Sequence, residues 1–113
     1  MKIIKKPWGS ETVIELNKKY LLKKLFMKKN HRCSLQFHNY KKETIYVLNG
    51  KLKVFAGKNK KKLKSKIYKK GESLTINPKI IHRMEAVIDS TYLEASTPEM
   101  QDVVRILDDY KRV

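Results

Sequence analysis

The strongest chemical suggestion in this chain comes from Gln36, His38, Glu43 and His82. Gln36 and His38 sit two apart in Ser34-Leu35-Gln36-Phe37-His38. On a strand they share one face, and Leu35 and Phe37 share the other. Glu43 follows five residues after His38, and Asn39 to Lys42 supply the turn that returns it toward the pair. His82 lies far downstream, just after Asn77-Pro78-Lys79-Ile80-Ile81. Two imidazoles, a carboxylate and an amide oxygen form a reasonable ligand set for one divalent Zn, Mn, Fe, Co or Ni ion. Such a set leaves positions open for water or substrate. Taken singly, each residue is a weak signal. A histidine on a strand is more often structural or exposed than a ligand, and Glu43 alone reads as a surface carboxylate.

These side chains need short strands to position them, and most of the sequence reads that way. Glu11 to Leu16 and Tyr20 to Met27 are apolar or β-branched segments around a turn at Asn17-Lys18-Lys19. Cys33 to His38 and Glu43 to Leu48 follow, and Asn49-Gly50 is a two-residue hairpin signal because both residues tolerate positive φ. Leu52, Val54 and Ala56 alternate with Lys51, Lys53 and Phe55, giving the return strand one apolar face. Leu63 to Tyr68, Ser73 to Ile76, Ile81 to Ile88 and Thr91 to Ala95 complete the expected strands, with a short helix or 3₁₀ turn over Glu99 to Leu107. Strands this short and closely spaced predict an all-β sandwich or barrel. Cys33 reads as core packing, His31 as an exposed loop residue and Tyr46 as core or interface. Trp8 is expected to pack the N-terminal segment onto the barrel or a partner subunit.

The bulk properties set limits. A chain of 113 residues fits one domain, and a hydrophobic fraction of 41% argues against disorder. The single cysteine cannot form an internal disulfide, no apolar run is long enough for a membrane span, and the N-terminus lacks a signal pattern. A cytoplasmic protein is the expectation. The net charge of +16 raises a nucleic-acid partner, but only four of the 27 basic residues are arginine. Residues 51–70 carry ten lysines and no acid, while residues 85–110 hold seven of the eleven acids and one basic residue, Arg105. Without clustered arginines and interleaved aromatics on one basic face, nucleic acid is not the expected partner.

The spacing around the candidate ligands carries a family resemblance. Gln36-x-His38-(x)4-Glu43-(x)6-Gly50 is similar to the first cupin motif, and Gly71-(x)6-Pro78-(x)3-His82 resembles the second. Gln36 replaces the usual first histidine, and Ile80 stands where many cupins have glycine. The cupin domain of type II mannose-6-phosphate isomerases uses Gln at the first position, and the wider chain resembles that branch. Lys6-Pro7-Trp8-Gly9-Ser10-Glu11, Arg32 to His38, Ile76-Asn77-Pro78 with His82-Arg83-Met84, Leu93 to Pro98 and Asp102 to Tyr110 all carry the likeness. Near the end, Lys111 replaces the glycine of the family's Tyr-Gly-Arg.

The resemblance implies a single small cupin domain over residues 1–113, a double-stranded β-helix or jelly-roll barrel. Its core would span about 10–98, with a C-terminal segment at 99–113. It implies one divalent metal ion held by Gln36, His38, Glu43 and His82, and aldose–ketose isomerisation of a phosphorylated sugar. The catalytic base is not identified. Arg105, Arg32 and Arg83 are the candidates for the sugar phosphate. Arg105 is preferred, against a salt bridge to Asp108 or Asp109, and a surface ion pair competes for Arg83. The chain offers no glycine-rich phosphate loop for the nucleotidyltransferase domain that many relatives carry, so pyrophosphorylase activity is not expected. Competing readings are a metal cupin with another reaction (oxygenase, epimerase or lyase) and a non-catalytic sugar-binding module. A homodimer is expected, with N-terminal strands near Trp8 at the interface.

Overall fold

A computed structural model describes residues 1–113 and contains only strands, turns and loops. No helix is long and apolar enough to cross a membrane. The first six strands are β1 (Lys2–Lys6), β2 (Gly9–Leu16), β3 (Leu21–Met27), β4 (Leu35–Phe37), β5 (Glu43–Asn49) and β6 (Lys51–Gly57). The rest are β7 (Lys64–Lys69), β8 (Ser73–Ile76), β9 (Ile81–Ala86), β10 (Ser90–Ser96) and β11 (Val104–Leu107). They form two antiparallel sheets, one ordered β1-β2-β3-β10-β5-β8 and the other β11-β4-β9-β6-β7. Consecutive strands repeatedly change sheet, as in a jelly roll.

Alternation along each strand decides which side chains enter the barrel. In β3, Leu21, Lys23, Leu25 and Met27 are buried while Lys24 and Phe26 are exposed. At one end the inward residues are apolar: Trp8, Leu25, Met27, Val47, Leu52, Val54, Met84 and Tyr92 belong to one core cluster. Toward the other end the inward positions turn polar. Lys23, Glu94 and Ile45 are cross-strand partners in one row, and Ser96, Glu43 and Ile76 in the next. The second sheet contributes the row Arg105, Gln36, His82, Ala56. The barrel thus has an apolar end that holds it together and a polar end that can do chemistry.

Four features differ from the sequence reading. Asn49-Gly50 is not a hairpin: β5 and β6 belong to different sheets, and the bend carries the chain between them. Gly50 is needed there for two reasons. Its φ is +98°, and a Cβ would clash with Ser90 Oγ and fall 2.6 Å from the Asp89 carbonyl oxygen. Residues 104–107 are a strand rather than a helix, because β-branched Val104 and Ile106 suit extended backbone and the β4 edge offers it a partner. Lys2 to Lys6, unassigned from sequence, forms the edge strand β1 against β2. Tyr46 points outward and is exposed, not core. Trp8, by contrast, sits in the core cluster of the barrel itself.

The two departures from the family's glycines resolve differently. The bend before β9 places its left-handed residue at Lys79 (φ 72°), so Ile80 needs no special backbone. At the C-terminus Lys111 itself is left-handed, with φ 59°. The turn is closed by Arg112, whose guanidinium donates to both Asp108 carboxylate oxygens at 2.7 and 3.1 Å. These bonds hold the Asp108 carboxyl down at about 2. Gly50→Ala is expected to lower stability by about 2–4 kcal/mol through clash and backbone strain. Lys111→Gly is expected to raise it by about 0.5 kcal/mol, because relief of the left-handed strain exceeds the added unfolded-chain entropy. Urea denaturation midpoints of the two variants check both signs.

Candidate metal centre

Three separate parts of the fold deliver the candidate ligands. His38 lies just beyond the end of β4, Glu43 opens β5 in the opposite sheet, and His82 is the second residue of β9. All three are buried. Their ligand atoms lie within 4.8 Å of one another. Gln36 is the cross-strand partner of His82, so its side chain enters from the same face. Its Oε1 accepts a 2.7 Å hydrogen bond from Ser34 Oγ.

The imidazoles are oriented from behind. His38 Nδ1 lies 2.6 Å from the Asp102 carbonyl oxygen, and His82 Nδ1 lies 2.9 Å from that of Ile80. A carbonyl only accepts, so each Nδ1 must carry the proton. In a neutral ring the lone pair is then at Nε2. Both Nε2 atoms face one oxygen of Glu43, at 3.3 Å from His38 and 3.1 Å from His82. The His82 contact lacks hydrogen-bond alignment, and its Nε2 has no other partner. Two lone pairs and a carboxylate oxygen repel unless a cation, either a proton or a metal ion, lies among them. Ligand atoms about 2.1 Å from a metal are separated by about 3.0–3.4 Å at octahedral to tetrahedral angles. The observed 3.1 and 3.3 Å fall in that window. The residues present therefore fit a divalent ion, and a backbone carbonyl behind each ring is the usual device for aiming a metal-binding histidine.

Burial opposes the charge on Glu43. The adjacent His38 and His82 rings and the nearby Lys41 ammonium outweigh it and hold the carboxyl well below the usual carboxylate range. Lys41 Nζ is 3.7 Å from Glu43 and 2.7 Å from Glu94. The Glu94 carboxyl is pushed up, mainly by burial and then by the charge of Glu43.

A polar cavity of about 200 Å³ reaches this cluster at His38, with Gln36 beside it, and is lined also by Lys6, Glu11, Lys23, Lys41, Glu94 and Arg105. Lys23 Nζ is 3.2 Å from Glu11. A smaller extension of about 60 Å³ runs toward Trp8, Cys33 and Tyr92. Sequence reasoning missed Glu11, Lys23, Lys41 and Glu94. Lys23 and Glu94 did leave a signal: each falls in phase with the inward positions of its strand, Leu21 and Leu25 for one, Tyr92 for the other. Lys41 sits in a turn and left none.

The three candidate arginines part company. Arg105 lines the cavity. Asp108 and Asp109, its expected rivals, pair with Arg112 and Arg32 instead. Arg32 makes a two-pronged contact with Asp109 at 2.7 and 3.0 Å and does not line the cavity. Arg83 donates twice to the Cys33 carbonyl and lies 3.7 Å from Asp109, as a buried tether rather than a surface pair. Neither placement supports a role at the sugar phosphate. Cys33 is buried in the core and its thiol is pushed up to about 11 by burial, so it stays protonated. His31 sits in a loop, with Nδ1 on the Lys29 carbonyl.

A two-sheet antiparallel barrel with a His–Glu–His cluster inside one end defines a cupin. The chain belongs to the family described as "Mannose-6-phosphate isomerase C-terminal", whose model matches residues 1–106. Its sequence is 28% identical over 111 residues to mannose-1-phosphate guanylyltransferase 2 of Escherichia coli O157:H7. The match covers 94% of this chain, which spans 22% of that relative's length. Among solved structures, an RmlC-like cupin from Shewanella frigidimarina NCIMB 400 superposes with a TM-score of 0.77 at 16% identity, covering 88% of this chain and 86% of that one. KdgF from Halomonas sp. gives 0.78 at 12% identity, covering 89% and 91%. CapF from Staphylococcus aureus gives 0.80 at 16% identity, covering 94% of this chain and 31% of that one. These structural likenesses bear on the fold alone.

Chelator-treated protein is expected to rebind about one Zn, Co or Mn ion per chain. His38→Ala and His82→Ala should each drop the stoichiometry to background, while Arg32→Met should leave it unchanged. Equilibrium dialysis with elemental analysis measures this. Full metal content in either histidine variant would refute the site.

Proposed function

We propose that this chain is a metal-dependent sugar-phosphate isomerase that interconverts an aldose phosphate and a ketose phosphate, with mannose 6-phosphate and fructose 6-phosphate as the first pair to test. One observation carries the reading: His38 of a cluster fit for a divalent ion, with Gln36 beside it, lines a cavity whose wall holds more cations than carboxylates. Family membership and a relative named for a mannose phosphate support the substrate class. His38, Glu43 and His82, with Gln36 beside them, would hold the ion. A bound divalent ion would supply Lewis acidity, stabilising the negative charge that develops as the proton moves.

The chain's own residues must then bind the phosphate and move one proton between adjacent carbons. Arg105, which lines the cavity, would take the phosphate. Two carboxylates that are not candidate ligands, Glu11 and Glu94, line the cavity and are the acid–base candidates. Each is held by a lysine, Glu11 by Lys23 and Glu94 by Lys41. Residues 1–113 are read as one domain that works in the cytoplasm. A homodimer is supported by the apolar groove on the outer face of β1–β3, where Met1, Ile3 and Phe26 are exposed.

The metal-loaded protein is expected to interconvert the two sugar phosphates, to stop on chelation and to resume with Zn, Co or Mn. Nuclear magnetic resonance of the sugar reports this directly. Absence of turnover at full metal loading would remove that substrate pair. Oxygen uptake with bound Fe(II) would favour a different cupin reaction. Of Glu11→Gln and Glu94→Gln, the one that removes the base is expected to lower kcat by at least about a hundredfold at unchanged metal content. Equal, small effects in both would exclude these two carboxylates as the base.

A further inference from the structure

The charged groups around the cavity pair off unevenly. Lys23 is matched by Glu11 and Lys41 by Glu94. Of the arginines, Arg112 is matched by Asp108, Arg32 by Asp109, and Arg83 by the Cys33 carbonyl. Two cations are left. Lys6 and Arg105 line both the main cavity and its extension, and neither forms a salt bridge. The Arg105 Nε is buried with no hydrogen-bond partner.

We propose that Lys6 and Arg105 form an anion subsite that grips the phosphate group of the substrate, built from the two ends of the chain. The proposal rests on the isomerase reading for the rest of the substrate but not for the anion itself. Lys6 ends β1, the edge of one sheet, and Arg105 lies in β11, the edge of the other. Two unmatched cations held close in a partly buried wall are costly unless an anion joins them. The strain is visible at Lys6, whose ammonium is lowered by burial and by the charges of Lys23, Arg105 and Arg112, against Glu11. A phosphate monoester carries up to two charges and three acceptor oxygens, enough for an ammonium and a guanidinium together. A single carboxylate brings half that charge. A phosphate held there would also bridge the edges of the two sheets, so binding should stabilise the fold.

The test uses inorganic phosphate as the probe, titrated into the full chain at constant ionic strength by calorimetry, with and without metal. Wild type is expected to bind saturably in the millimolar range or tighter and to melt at a higher temperature with phosphate. Lys6→Met and Arg105→Met should each weaken binding by at least about tenfold. Lys6→Arg should retain it, and Lys61→Met, in the exposed lysine loop, should change nothing. Lys6 lies on an edge strand, so its variants are expected to fold even if Arg105→Met does not. No saturable phosphate binding by wild type, or wild-type affinity in folded Lys6→Met, overturns the subsite. Phosphate binding without any isomerase turnover would sink the isomerase reading and leave the subsite standing. Turnover with a KM for sugar phosphate unmoved by Lys6→Met would do the reverse.

Discussion

Two buried imidazole nitrogens and a carboxylate oxygen converge at the polar end of the barrel, and that convergence demands a cation. The demand is set from behind. The Ile80 and Asp102 carbonyls fix the proton of each ring at Nδ1 and turn the other nitrogen inward. Asp102 acts twice, since its carboxylate also accepts from the backbone N–H groups of Asn39, Tyr40 and Lys41. One residue thereby shapes the turn between His38 and Glu43 and aims His38. The Lys79 N–H donates to the His38 carbonyl at 2.7 Å, which ties the bend before β9 to the end of β4. The bends that hold the ligands are therefore also the joints of the barrel's polar end.

This arrangement divides the interior by function. A domain of this size gains its stability from a limited apolar cluster, and buried charges work against it. Glu11, Lys23, Lys41 and Glu94 nonetheless occupy inward positions. Well-packed apolar residues at these positions would serve stability at least as well. Their presence is explained by the cavity they line. Lys41 stands between Glu94 and Glu43, where it compensates the carboxylate that carries the candidate ligand oxygen. Burial of the charges is tolerable because each faces an opposite charge at short range.

Period-two alternation made most strands legible in the sequence, and motif spacing made His38, Glu43 and His82 legible as a group. What escaped was nonlocal. The Asn49-Gly50 pair looks like a hairpin in isolation, because nothing local says that the next strand joins another sheet. Gly50 is required by the approach of Asp89 and Ser90, forty residues away. The competition for Asp108 and Asp109 was likewise undecidable from spacing. The pairing of β11 with β4 turns Arg105 inward beside Gln36, and Arg32 and Arg112 take the acids. Lys111 is the opposite case. The substitution is plain in the sequence, but only the structure shows that the backbone keeps a glycine-like φ despite the side chain.

The lysine excess and the positive cavity are separate features. The ten lysines of residues 51–70 belong to β6, β7 and the loops around them, where most are exposed. Two lie over aromatic rings, Lys53 on Phe55 and Lys66 on Tyr68, each at 5.1 Å. On the edge strand β7 these charges discourage pairing with another sheet. Their long-range field draws any anion toward the molecule and fades over about 8 Å at physiological salt. Such a field cannot select. Selection needs fixed donors at short range, and the cavity cations Lys6, Lys23, Lys41 and Arg105 all come from outside that stretch. Two of them are neutralised by carboxylates and two are not. Recognition of an anionic substrate therefore depends on which cations were left without a partner, and the total of +16 says little about it.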